Sequence, residues 1–160
     1  MKIITVLFSV LLVLLFTSCF SEAESPLYDS EWLMTNYDQN GHEYYHKLLL
    51  TKDHNAVLTA SYTDSTNIIQ WTGTYKLSSK KIKFNFTECV RFEGGEKKGN
   101  YKATQLIKYY TGDFIYSVSL IGETEEDKKY YLQLVRPEEY FYGKGEDIFG
   151  NALDVFVKTK

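Results

Sequence analysis

Cysteine, proline and methionine are scarce, with two of each among 160 residues. Two cysteines, Cys19 and Cys89, cannot build the multi-disulfide framework that holds many small secreted domains together. The fold must therefore rest on an apolar core. Proline is too rare, and low-complexity tracts are lacking, for a stiff or flexible linker between domains. An excess of positive charge is lacking too: 18 Lys and Arg stand against 21 Asp and Glu, a net charge of −3. That balance disfavours nucleic acid, which demands a basic face, and offers no polybasic attraction to anionic lipid. The only long apolar run is Ile3 to Phe16, interrupted by Thr5 and Ser9. It is shorter than the roughly 20 residues a membrane span needs. No G-x-S-x-G, P-loop or dinucleotide fingerprint occurs. What is abundant is aromatic: 14 Tyr, 10 Phe and 2 Trp.

The N-terminus has the order of an export signal. Lys2 supplies a positive start, Ile3 to Phe16 the apolar stretch, and Thr17-Ser18 small residues immediately before Cys19. This resembles a bacterial lipoprotein signal, with Phe16 where leucine is usual. The resemblance implies that residues 1–18 are removed and that Cys19 carries lipid. Two or more acyl chains, palmitate among them, are expected, since one chain anchors only marginally. Residues 19–29 then form a short, acidic, flexible tether, and residues 30–160 form the domain. The expected address is the cell envelope, at the outer membrane in preference to the inner. An ordinary cleavage after Ala23 is the alternative, and it would release a soluble protein without Cys19.

From Glu31 onward apolar residues recur every second position, the period of half-buried strands. In Lys81 to Phe92, Ile82, Phe84, Phe86, Val90 and Phe92 share one face and Lys81, Lys83, Asn85, Thr87 and Arg91 the other. Trp71, Gly73, Tyr75 and Leu77 alternate with Thr72, Thr74 and Lys76. Phe114 to Ile121, Lys129 to Arg136 and Leu153 to Lys158 read similarly, while Tyr44 to Thr51 and Val57 to Tyr62 read as strands whose faces are less clear. Turns are expected at Asp38 to Gly41, Lys52 to Asn55, Gly94-Gly95 with Gly99-Asn100, Thr111 to Phe114, and Glu123 to Lys129. Glu138 to Tyr142 reads as one helical turn. The spacing predicts an all-β fold, an antiparallel up-and-down barrel of about eight to nine strands, because closure removes exposed edges.

The order Ser30-Glu31-Trp32, an Asn-Gly turn, Leu48 to Val57, Trp71-Thr72-Gly73-Thr74-Tyr75 and Lys81 to Phe84 resembles small bacterial lipocalin-like (calycin-type) domains. Ser30 stands where that family usually has Gly, and His54-Asn55 where it usually has Asp-Gly. The resemblance implies a barrel with room for side chains or one small apolar ligand. Trp71, Tyr75, Phe84, Phe86, Phe114 and Tyr116 are the inward-facing candidates for contacting it.

His42-Glu43-Tyr44-Tyr45-His46 spells H-E-x-x-H, a zinc hydrolase signature that works only on a helix, where both histidines face one metal. Asn40-Gly41 before it and the leucines after it suit a turn and a strand instead. In a strand His42 and His46 stand about 13 Å apart, too far to share a zinc ion. They read as residues of a solvated strand edge, and His54 falls in a turn. Cys89, in a strand with no neighbouring His, reads as a passive thiol. The chain is therefore expected to be neither an enzyme nor a metal or cofactor protein. A small-ligand barrel is the first functional expectation. A protein-interaction or enzyme-inhibitor module is the second, motivated by the tyrosine doublets Tyr44-Tyr45, Tyr109-Tyr110 and Tyr130-Tyr131 and by Tyr140-Phe141-Tyr142. A zinc hydrolase is a distant third.

Overall fold

A computed structural model describes residues 25–100, 110–136 and 155–160. Nine strands lie among them: β1 (Ser30–Tyr37), β2 (Glu43–Leu50), β3 (Asn55–Tyr62), β4 (Ile68–Leu77), β5 (Lys81–Glu93), β6 (Glu96–Asn100), β7 (Gly112–Ile121), β8 (Lys129–Val135) and β9 (Val155–Lys158). Each pairs antiparallel with its neighbours. β1, β2, β3, β4, β5, β7, β8 and β9 follow in ring order, and β9 returns to β1. The result is a closed eight-stranded barrel with β6 added as a flap on the far half of β5. The all-β, up-and-down architecture is thus the one the two-residue period predicts. The proposed helical turn at Glu138 to Tyr142 lies outside the described residues.

Closure follows from alternation. Tyr44, His46, Leu48 and Leu50 point inward from β2, Ala56, Leu58 and Ala60 from β3, and Trp71 and Tyr75 from β4, all buried. Gly73 sits between those two because β5 crosses it closely. A Cβ there would stand 2.2 Å from the Asn85 carbonyl oxygen and 2.6 Å from Phe86 Cα. At this point the register slips by one residue between Thr72 and Gly73, a β-bulge. The slip changes the inward row of β5. Ile82, Phe84 and Phe86 point in as expected, but beyond the bulge Cys89 faces Trp71 across the ladder and Arg91 faces Ile69. Val90 and Phe92 therefore leave the row in which simple alternation placed them.

One end of the barrel is closed by residues just before β1. Leu27 is fully buried, and Ser30 Oγ donates to its carbonyl (2.6 Å) while accepting the indole N–H of Trp32 (2.7 Å). A buried indole needs such an acceptor. Asp29 holds a left-handed backbone (φ 47°), and its carboxylate accepts the Lys52 amide at 2.6 Å.

The turns mostly fall where expected, with two corrections. Gly94 and Gly95, both at positive φ (58° and 85°), form the two-residue connection from β5 to β6, the I′ geometry that suits strand twist. Gly99-Asn100 lie inside β6 and not in a turn. Thr111 to Phe114 is not a hairpin turn either: Gly112, at φ 129°, opens β7 opposite Phe84. Among the described residues the strand before β7 in sequence is the flap β6, paired with the other half of β5, so no two-residue hairpin joins them.

Candidate functional site

The barrel interior is the natural place to look for a site, and the described residues largely fill it. Among the described residues an apolar gap of about 20 Å³ lies there, lined by Leu48, Leu58, Phe84, Phe86, Tyr110, Phe114, Leu134 and Phe156. Such a volume holds about one water molecule. Of the six residues expected to meet a ligand, Phe84, Phe86 and Phe114 border this gap. Phe84 and Phe86 stack 5.4 Å apart, and Phe84 meets Phe114 edge-on at 5.7 Å. Trp71 is fully buried and joins the group through Tyr110, whose ring stands 4.9 Å away, edge to face. Tyr75 is not part of it. Its hydroxyl donates to the Thr51 carbonyl (2.8 Å) and its ring lies 5.5 Å from that of His54, so it closes one end of the barrel. Burial raises the Tyr75 phenol to about 12. Tyr116 also stands apart, half-buried, donating to Ser78 O at 3.3 Å.

Two residues form a buried polar pair at the centre. His46 is fully buried, and Tyr110 Oη lies 2.8 Å from its Nε2. The rings pack edge-on at 5.8 Å, and Tyr44 also packs edge-on against the imidazole at 5.8 Å. The expectation that His46 lies on a solvated edge is therefore overturned. Position 46 has the parity of Tyr44, Leu48 and Leu50, and that parity faces the core. Tyr110 is not a strand residue. It is helical, shortly precedes β7, and is buried against the barrel interior. Alternation carried no signal for it, because it belongs to no strand.

His42 lies elsewhere. It precedes β2 and is exposed, with Nδ1 3.4 Å from Asp38 Oδ2. The Asp38 carboxyl is held below its ordinary range by the amide N–H bonds it accepts from His42 and then Asn40. One histidine of H-E-x-x-H thus faces solvent and the other the core, on a turn and a strand. The helix required by zinc chemistry is not there, and no cluster of three His, Cys, Asp or Glu side chains suited to a metal occurs among the described residues. Cys89 is fully buried, and burial pushes its thiol up to about 11. A thiol so reluctant to ionise is a poor nucleophile.

A second hollow, about 240 Å³, opens at the end of the barrel away from Leu27, between Ala60, Tyr62, Asn67, Ile69 and Arg91. Arg91 pairs with Glu93 at 2.8 Å at its rim. No family model, curated protein or solved structure matches the chain. The eight-stranded antiparallel barrel is consistent with a lipocalin-like fold, and no relative narrows that further.

Proposed function

We propose that the chain is a lipoprotein of the bacterial cell envelope, tied to a membrane through lipid on Cys19, and that its barrel works from its outer surface as a protein-interaction module. The observation that supports this is the tight interior: among the described residues the apolar gap in the barrel is about 20 Å³, far below the hundreds of cubic ångströms of small-molecule sites. Exposed apolar side chains support the surface reading. Leu120 (49 %), Ile121 (57 %) and Tyr130 (41 %) gather on β7 and β8. The reading assigns the chain no catalysis and no cofactor.

A second reading retains the small apolar ligand. It is favoured by one observation: Tyr110 lies outside the strands and its ring borders the apolar gap against Trp71 and His46, so a ligand would take the place of that ring. The two readings part on an apolar fluorescent probe. On the interaction reading the purified protein leaves its emission unchanged, while probe uptake at micromolar concentration, displaced by a competing apolar molecule, would reverse the order. The anchor is tested separately. Palmitate labelling should appear in the full chain and vanish in Cys19→Ala; label that persists in the variant would remove the lipoprotein reading.

A further inference from the structure

β7 is paired on both sides for only part of its length. Its first residues, Gly112 to Ile115, lie against β5, and the amide of Tyr116 donates to Lys80 O at 3.2 Å. There β5 ends. Among the described residues, β7 runs on through Ser117, Val118, Ser119, Leu120 and Ile121 with β8 on one side only. Ser117, Ser119, Leu120 and Ile121 are exposed and Val118 is half-buried. This five-residue edge lacks three of the usual protections against strand addition: it carries no proline, no lysine and no bulge.

We propose that this edge pairs with the same edge of a second copy of the chain, antiparallel, about a two-fold axis at Ser119. The proposal rests on the surface-interaction reading and names its partner. Three observations carry it. The first is hydrogen-bond phase. In an antiparallel ladder, alternate residues turn their N–H and C=O to the same side. Since the Tyr116 amide points toward Lys80, those of Val118 and Leu120 point to the open side. Pairing Val118 with Leu120 of a second copy, and Leu120 with its Val118, uses all four groups on each edge. The axis then falls between two Ser119 residues, whose own groups face β8.

The second observation is side-chain match. In this register Val118 and Leu120 meet each other's counterparts on one face. Ser119 meets Ser119 and Ser117 meets Ile121 on the other, so no like charges oppose. The third is charge at the ends. The loop after Ile121 carries exposed Glu123, Glu125, Glu126 and Asp127 against Lys128 and Lys129, with Glu125 paired to Lys128, and so keeps an acidic excess, while the turn where β5 abandons β7 carries exposed Lys80 and Lys81. The same register brings the acidic loop of each copy against the basic turn of the other. A five-residue edge buries far less than a standard interface. The pairing is thus weak in dilute solution and favoured where a shared membrane concentrates the chains.

The register can be read by cysteine crosslinking of the full-length chain in its membrane, oxidised with copper-phenanthroline. Opposed Ser119 residues form a non-hydrogen-bonded pair with Cα atoms about 4.5 Å apart, within disulfide range. Ser119→Cys should give a covalent dimer well above that of the parent chain. Ser117→Cys alone should not, because its two copies stand four residues out of register, while mixing Ser117→Cys with Ile121→Cys chains should restore the bond. Adding Leu120→Lys to Ser119→Cys should abolish the dimer. Equal crosslinking at 117 and 119, or survival of the dimer with Leu120→Lys, overturns the register. A crosslink from the Ser119→Cys chain to a different protein overturns self-pairing and leaves the interaction reading standing. No crosslink of any kind removes both at this edge. Loss of palmitate labelling with the dimer intact affects only the anchor.

Discussion

The β2–β4 wall and the far half of β7 show the same alternation in sequence and opposite fates in the structure. On β2 to β4 the inward row, from Tyr44 through Leu58 to Tyr75, is buried. On β7 the inward row starts buried at Phe114, is half-buried at Tyr116 and Val118, and is 49 % exposed at Leu120. Hydropathy does not separate the two regions, since Leu120 is as apolar as Leu48. The number of neighbouring strands does. β3 is flanked along nearly its whole length by β2 and β4, whereas β7 loses β5 after Ile115. On the strands of this barrel, a neighbour on both sides is what carries an inward apolar side chain fully out of water.

The largest break in this contrast comes from the doubly flanked wall. Trp71 is fully buried against Tyr110 and beside the bulge, so Trp71→Ala should cost about 3–5 kcal/mol, read as a lowered urea midpoint. Gly73→Ala should also be severe, by about 1–3 kcal/mol or more, because the new methyl meets the backbone of Asn85 and Phe86, which cannot swing aside as a side chain could. A Gly73→Ala protein as stable as the parent would mean that β4 and β5 stand further apart at the bulge.

The alkaline limb should report on the same wall. Cys89 ionises near 9.0 when unperturbed and near 11 in the fold, raised by burial. Between those values the unfolded chain has lost the proton and the folded chain still holds it. Stability is therefore unaffected below about pH 9 and falls as pH rises toward 11. Tyr75, raised by burial from 10.0 to about 12, adds to the decline from about pH 10 upward. Near-UV circular dichroism against pH should show loss of aromatic signal beginning above pH 9, with the first part of the slope flattened in Cys89→Ala. A slope unchanged in that variant would detach Cys89 from the effect.

Replacing Tyr110 by Phe keeps the ring and removes the hydroxyl that meets His46. The expected cost is roughly 1–3 kcal/mol, because a buried polar partner loses its bond, with the barrel otherwise intact by far-UV circular dichroism. No measurable loss would show that the Tyr110–His46 contact is dispensable.

Tyr110 also marks where the sequence stops being readable. The strands, most turns and the inward positions Trp71, Tyr75, Phe84, Phe86 and Phe114 were legible because a period of two is a local property. His46 was legible in principle from its parity with Leu48 and Leu50, but the H-E-x-x-H spelling drew attention to metal chemistry and away from the core. The bulge opposite Gly73 was not legible. It depends on how closely two neighbouring strands approach, and it shifted Val90 and Cys89 between faces. Nor does alternation say where a neighbouring strand ends, so the exposure of Leu120 could not be read from the pattern that also describes Leu48.

The smallest expected effect sharpens that last point. Leu120 and Leu132 lie on adjacent strands of one hairpin, both on the inward parity, since Leu120 faces Tyr130 and Val118 faces Leu132 across the ladder. Leu132 is fully buried and packs in the core. Truncating it to Ala should cost about 2–5 kcal/mol. Leu120→Ala removes the same atoms from a position already half in water, and should change stability of the isolated chain by no more than about 0.5 kcal/mol. Paired denaturation curves of the two variants separate geometry from composition, because the substitution is chemically identical. If both lose stability equally, the overhang is covered by more of this chain than β8 and the edge is not open. If only Leu132→Ala does, Leu120 is held at this surface by something other than the fold of a single barrel.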